Sequence, residues 1–246
     1  MFFYDPTYMM FLIPLLFCML LSFWASSKVK TTYAKYDKVR NRLGVTGYEA
    51  ARRLLQMGGV TDISIGRVSG TLSDHYNPAK SVVNLSDGTY GSNSVAAVAV
   101  AAHEIGHVMQ NKQGYGFYRL RTALVPVANL GTGLAIPLVL LGLLMDTGVL
   151  LARNSDLGFT IAMIGVVFYG MSFLFALVTL PVELNASRRA GQMLLQAGVV
   201  SEGEMDGVKD VLSAAALTYL ASMLTSLVYF LRFLFWVLSI FGRRRD

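Results

Sequence analysis

The residues best placed to do chemistry are His103, Glu104 and His107, in the run His103-Glu104-Ile105-Gly106-His107. Two histidines four apart lie one turn apart on one face of a helix, so both imidazoles can reach a single Zn²⁺. The glutamate between them can take a proton from the attacking water. An ordinary pair of core or surface histidines beside a solvated glutamate is the alternative, but the chain has only three histidines and two fall on this pattern. A hydrolytic zinc site uses three protein ligands and keeps one position open. Glu183, in Pro181-Val182-Glu183-Leu184-Asn185-Ala186-Ser187, is the candidate third ligand. It falls at the expected start of a helix, where negative charge is also favourable for its own sake. His75 and Asp74 lie in an expected turn, and Glu202, Glu204 and Asp206 in a polar, glycine-containing stretch; both places hold a ligand less firmly than a helix does. His75 could instead contact substrate or the transition state, or simply bond local backbone. Arg188 and Arg189 could support Glu183, bind an oxyanion, or anchor the chain beside a membrane. The single cysteine, Cys18, excludes an intrachain disulfide and a cysteine-based metal site.

These side chains need elements to hold them. Ser94–Gln110 is expected to be a long Ala/Val-rich helix capped by Ser92 or Ser94. Gly106 inside it costs about 1 kcal/mol relative to Ala, which points to close helix packing, or close approach of another backbone or of substrate. Upstream, Thr46-Gly47-Tyr48-Glu49 has capping-box spacing. Ala50, Ala51, Leu54 and Leu55 give a helical stripe, and Gly58-Gly59 stops it. Asp62–Val68 and Ser81–Ser86 read as strands, with Leu72–Lys80 as the turn region between them. The strand before the motif helix is expected to offer an open edge on which an extended substrate could be held by main-chain hydrogen bonds. After Pro181 a new helix is expected to run to about Gln196 and end near Gly198.

The composition places this machinery in a membrane protein. Of 246 residues, 54% are apolar and 15% charged, against roughly a quarter charged in a water-soluble domain. Four stretches approach the ~20 apolar residues that span a bilayer: Thr7–Ala25, Leu124–Ala152, Leu157–Leu180 and Ala214–Phe241. The second and third are joined by a short loop with Arg153 and Asp156, and the last is interrupted by Arg232. The first is read as a retained anchor rather than a signal peptide, because its positive charge follows the apolar run instead of preceding it. That order puts the N-terminus outside and the basic flank Lys28–Arg42 in the cytoplasm. The net charge of +6 thus reads as membrane flanking, with no nucleic-acid partner implied. The expected organisation is an anchor over 1–26, a cytoplasmic domain over 27–122 carrying the motif helix, and a transmembrane hairpin over 123–180. A cytoplasmic helix over 181–213 would bring the third ligand, followed by a membrane segment and basic tail over 214–246. A full fourth crossing would put Arg243–Arg245 outside, so Ala214–Phe241 is expected to bend or lie partly in the interface.

Several runs resemble the YugP-like family of bacterial membrane zinc metallopeptidases, more distantly related to the HtpX and CAAX-type membrane metalloproteases. They are Ser73–Pro78, Ala101–His107, Leu124–Asn129 and Leu180–Ala190. In the HtpX-like relatives the third ligand opens a Glu-x-x-Ala-Asp pattern; Glu183–Ser187 is similar to it except that Ser187 stands in place of the Asp. The resemblance implies Zn²⁺ bound by His103, His107 and Glu183, with Glu104 as general base. It also implies a zincin, gluzincin-like arrangement: a membrane α-helical protein of about four transmembrane segments with a small α+β cytoplasmic part. The expected function is a zinc-dependent endopeptidase of the cell membrane, multi-pass, its site facing the cytoplasm and acting on peptides or membrane proteins. The alternative is a non-catalytic zinc-binding scaffold or sensor, which would take a fourth ligand from His75 or Asp74.

Overall fold

The computed structural model describes residues 6–147 and 155–242. The loop with Arg153, the end of the second expected span and the tail Arg243–Arg245 lie outside them. The protein is mostly helical, with one small sheet. In chain order the elements are α1 (Pro6–Tyr36), α2 (Gly47–Met57), β1 (Ser64–Val68), β2 (His75–Asn77), β3 (Val82–Ser86), α3 (Asp87–Tyr90) and α4 (Val95–Lys112). There follow α5 (Gly116–Thr147), α6 (Ser155–Gln196), a 3₁₀ turn at Glu202–Glu204, and α7 (Met205–Gly242). They form two compact units. One takes the described parts of Met1–Phe23, Leu120–Leu180 and Tyr219–Asp246; the other is Trp24–Arg119 with Pro181–Thr218. Helices α1, α5, α6 and α7 contribute residues to both.

The first unit is built from apolar helix. All four long helices are long and apolar enough to cross a membrane. Large apolar side chains point outward along them, among them Ile13, Phe17, Phe23 and Val167. In water such a surface would be an aggregation hazard; in a bilayer it faces a matching solvent. Inside, Val139, Ala162, Val166, Val237 and Phe241 pack together. Helices α5 and α6 meet at Gly142 and Gly158, where a Cβ on either would fall within 2.6 Å of the other's carbonyl oxygen. Small residues at a helix contact suit a membrane, where backbone approach and van der Waals packing replace the hydrophobic effect as the force between helices. Helix α7 runs unbroken through Arg232, which is partly buried. The segment holds neither proline nor paired glycines to interrupt the hydrogen-bond ladder, so the helix is continuous there.

The second unit has an ordinary core. Thr46 and Glu49 form the capping box, the threonine Oγ1 accepting from the Glu49 amide at 3.2 Å and the Glu49 carboxylate accepting from the Thr46 amide at 2.7 Å. Ala50, Ala51, Leu54 and Leu55 then turn inward together. Strand β3 lies in the middle of the sheet, parallel to β1 and antiparallel to β2. That corrects the expectation of an open edge on the strand before the motif helix: both edges of β3 are occupied, and the free edges belong to β1 and β2. Strand β2 lies inside the expected turn region. It is three residues long, too short to show alternation, and it forms because β3 supplies its partners. The Asp74 carboxylate accepts from both the amide and the hydroxyl of Ser86, each at 2.8 Å, which locks the end of β3 just before the chain turns toward α4.

Candidate metal centre

Helix α4 starts where Ser94 Oγ accepts the Ala97 amide at 3.0 Å, satisfying one of the amides that a helix start leaves without a partner. Ala96, Ala97, Val98, Ala99, Ala101 and Ala102 are all fully buried, and their small side chains let neighbouring elements close in around the helix. At Gly106 the approaching neighbour is α6: a Cβ there would sit 2.6 Å from the Ala186 carbonyl oxygen. Alanine would gain about 1 kcal/mol in helix propensity. Crowding a backbone contact that tight costs typically 1–3 kcal/mol, so glycine is the residue that fits. Of the readings considered for Gly106, approach of another backbone is what the structure contains.

Helix α6 does not begin after Pro181; it passes through it. Proline lacks the amide that would bond back to residue 177, and its ring crowds that carbonyl, which is why a break was expected. Here the helix-forming residues on both sides carry the helix across the gap. Glu183 therefore sits in the interior of a 42-residue helix, and the favourable charge of a helix N-terminus no longer accounts for it.

Glu183 is 1% exposed. A carboxylate buried that deeply is costly unless paired, and it faces both motif histidines. Its Oε2 lies 3.1 Å from His103 Nε2 and 3.5 Å from His107 Nε2. The two rings meet edge to face with centroids 4.8 Å apart. The ligand atoms of His103, His107 and Glu183 all lie within 4.8 Å of one another, so the group could hold a metal ion. Burial alone would lower the pKa of His107. The Glu183 hydrogen bond, the charges of Glu104 and Glu183 and the Gln110 hydrogen bond outweigh it and move the pKa up. The pocket thus favours positive charge at His107. Two imidazoles and one carboxylate form a donor set that zinc takes in hydrolytic sites, so the residues present fit the ion. Glu104 is buried on the same helix, between the two histidines in sequence and outside the three-residue group.

Two further residues, Ser187 and Gln110, contact these side chains, and sequence reasoning assigned neither contact. Ser187 Oγ is 3.2 Å from His103 Nδ1, so the serine standing where the HtpX-like pattern has an acid does reach the ring. Gln110 Oε1 is 3.0 Å from His107 Nδ1. The Gln110 amide nitrogen donates to the Val182 carbonyl at 2.7 Å and to Asn185 Oδ1 at 3.0 Å. Arg189 donates from Nε to the same Asn185 oxygen at 2.7 Å and from its terminal nitrogen to Gln113 Oε1 at 2.5 Å. The one legible signal was Gln110 itself: a polar side chain three residues after His107, on the same face of a helix that is otherwise apolar there.

The other candidates are engaged elsewhere. His75 is exposed on β2, its Nδ1 2.9 Å from the Ser73 carbonyl and its Nε2 3.1 Å from Asn84 Nδ2. Asp74 holds Ser86. Glu204 caps the 3₁₀ turn by accepting from the amide and hydroxyl of Ser201, both at 2.7 Å. Among the described residues none of His75, Asp74, Glu202, Glu204 and Asp206 joins the metal-binding group. Arg189 is turned to Asn185, Gln113 and the Tyr115 ring, 5.9 Å from its centroid, and Arg188 is exposed. Beside the site, Ser187 also borders a mostly apolar cavity of about 540 Å³, lined by Leu184, Leu195, Val208 and Leu212 among others.

The family model described as "Putative neutral zinc metallopeptidase" matches residues 8–238. The curated "Putative membrane protease YugP" of Bacillus subtilis (strain 168) is 45% identical over 213 residues, covering 87% of this chain and 90% of that protein. No solved structure matches.

Proposed function

Because this chain belongs to the neutral zinc metallopeptidase family, we propose that it is a membrane-embedded, gluzincin-like endopeptidase whose zinc is held by His103, His107 and Glu183. The observation that carries this reading is the convergence of two histidines from α4 and a buried carboxylate from α6 on one point. Bound zinc would supply Lewis acidity, activating a water and polarising the scissile carbonyl. Glu104 takes the proton from the attacking water and returns it to the leaving amine, so the C–N bond breaks with the proton accounted for. The scaffold alternative needs a fourth protein ligand. It loses support because Asp74 is committed to Ser86 and both ring nitrogens of His75 have local partners.

The substrates are peptides or membrane proteins. Purified full-length protein is expected to contain about one zinc per chain and to cleave casein. Chelation should abolish cleavage and added zinc restore it. Cleavage that survives complete removal of zinc would sink the metallopeptidase reading.

The protein resides in the cell membrane as a multi-pass chain with this site in the cytoplasm. The basic flank after the first apolar stretch supports that orientation. Lys80 is exposed and Cys18 is the one native cysteine, so Lys80→Cys in a Cys18→Ser background gives a single reporter thiol. A membrane-impermeant maleimide should fail to label it in intact cells and label it after permeabilisation; ready labelling of intact cells would reverse the orientation.

A further inference from the structure

We propose that Gln110 is a positioning residue of the metal centre. It holds His107 in the tautomer whose Nε2 is free to bind metal, and α6 dictates which way its amide faces. This rests on the ligand assignment above.

A glutamine amide is nearly symmetric in shape, so its neighbours must decide which end is oxygen. Here the decision starts at Arg189. A guanidinium only donates, so the Asn185 atom that Arg189 Nε meets at 2.7 Å is the carbonyl oxygen. That oxygen also faces Gln110 at 3.0 Å, so Gln110 must present its NH₂ there. The Val182 carbonyl at 2.7 Å makes the same demand. Gln110 Oε1 is therefore the atom left to meet His107 Nδ1 at 3.0 Å. An acceptor there requires a proton on Nδ1, and a neutral imidazole protonated on Nδ1 has a bare Nε2. That is the nitrogen facing Glu183. Gln110 is fully buried, so water does not compete for any of these bonds.

His103 is treated differently. Its Nδ1 meets Ser187 Oγ, and a hydroxyl can donate or accept, so that contact leaves the tautomer open. The fixed ligand is His107, through the sequence Arg189, Asn185, Gln110, His107. Because Val182 precedes Glu183, the same amide also ties α4 to the turn of α6 that carries the third ligand.

The test is zinc affinity of the detergent-solubilised full-length protein, measured by competition with a chromophoric chelator and so independent of hydrolysis. Gln110→Leu keeps the bulk and removes the polar ends; it is expected to weaken zinc binding about 10–100-fold, the range for lost outer-sphere partners of ligating histidines. Asn185→Leu should weaken it less. In the Gln110→Leu background it should add almost nothing, because it acts through the same bond. Asn185→Asp keeps the oxygen and should bind zinc like the parent. A second readout separates orientation from general packing. With cobalt in place of zinc, the His107 ring N–H should give a paramagnetically shifted, slowly exchanging NMR signal in the parent and in Asn185→Asp. In Gln110→Leu it should broaden by exchange. Parental zinc affinity in Gln110→Leu, or additive effects of the two leucine substitutions, would overturn the proposal. A protein that shows the expected affinities and signal yet hydrolyses no peptide would support this role while overturning the peptidase reading.

Discussion

Glu104→Gln is expected to cut peptide hydrolysis about 10²–10⁴-fold, the usual worth of a positioned general base, while zinc content stays near one per chain. Glutamine matches glutamate in size and fits the same buried position on α4, so neither histidine is disturbed. What it lacks is the basicity to accept a proton from water. Glu104 also lies outside the group formed by His103, His107 and Glu183, so its loss removes no ligand. The informative comparison sets turnover beside metal content, measured by mass spectrometry on the same preparation. Loss of both together would mean that Glu104 supports the metal, and retention of both would place the base elsewhere.

Glu183→Ala should have the opposite signature, losing the metal and the activity together. Outer-sphere partners of a ligand are worth 10–100-fold in metal affinity, so a direct ligand should cost more than about 100-fold. Thermal stability gives a second measure. Zinc at about 100 times its Kd stabilises a folded protein by about 2.7 kcal/mol, and the rise in melting temperature that zinc gives the parent should vanish in the variant. His75→Ala serves as the control. Its ring nitrogens are satisfied by Ser73 and Asn84, so zinc affinity should be unchanged. Zinc binding that survives Glu183→Ala and fails in His75→Ala would exchange the roles assigned to these two residues.

The parts of this protein legible in its sequence are those governed by short-range rules. The His103–His107 spacing reports one helix face, and the Thr46–Glu49 box and the Ala50–Leu55 stripe report a capped helix with an inward side. Glu183 could be singled out because a zinc site with two histidines lacks one ligand and because Glu183–Ser187 resembles the HtpX-like pattern that opens on the third ligand. What stayed hidden depended on partners distant in the chain. Strand β2 exists because β3 supplies its hydrogen bonds. Helix α6 continues through Pro181 against a local rule that predicts a stop. Asn185, Ser187 and Arg189 acquire roles only once α6 lies against α4, and no spacing within either segment announces that contact.

The meeting of Gly106 with the Ala186 carbonyl has a dimensional consequence. Where side chains separate two helices, rotamer changes let the gap breathe. Here main chain rests nearly on main chain, one residue before His107 on one helix and three residues beyond Glu183 on the other. The contact acts as a gauge block: it sets the span across which three side chains of fixed length must reach a common point. The room left for an ion at that point thus follows the spacing of two helix axes as well as the side-chain rotamers.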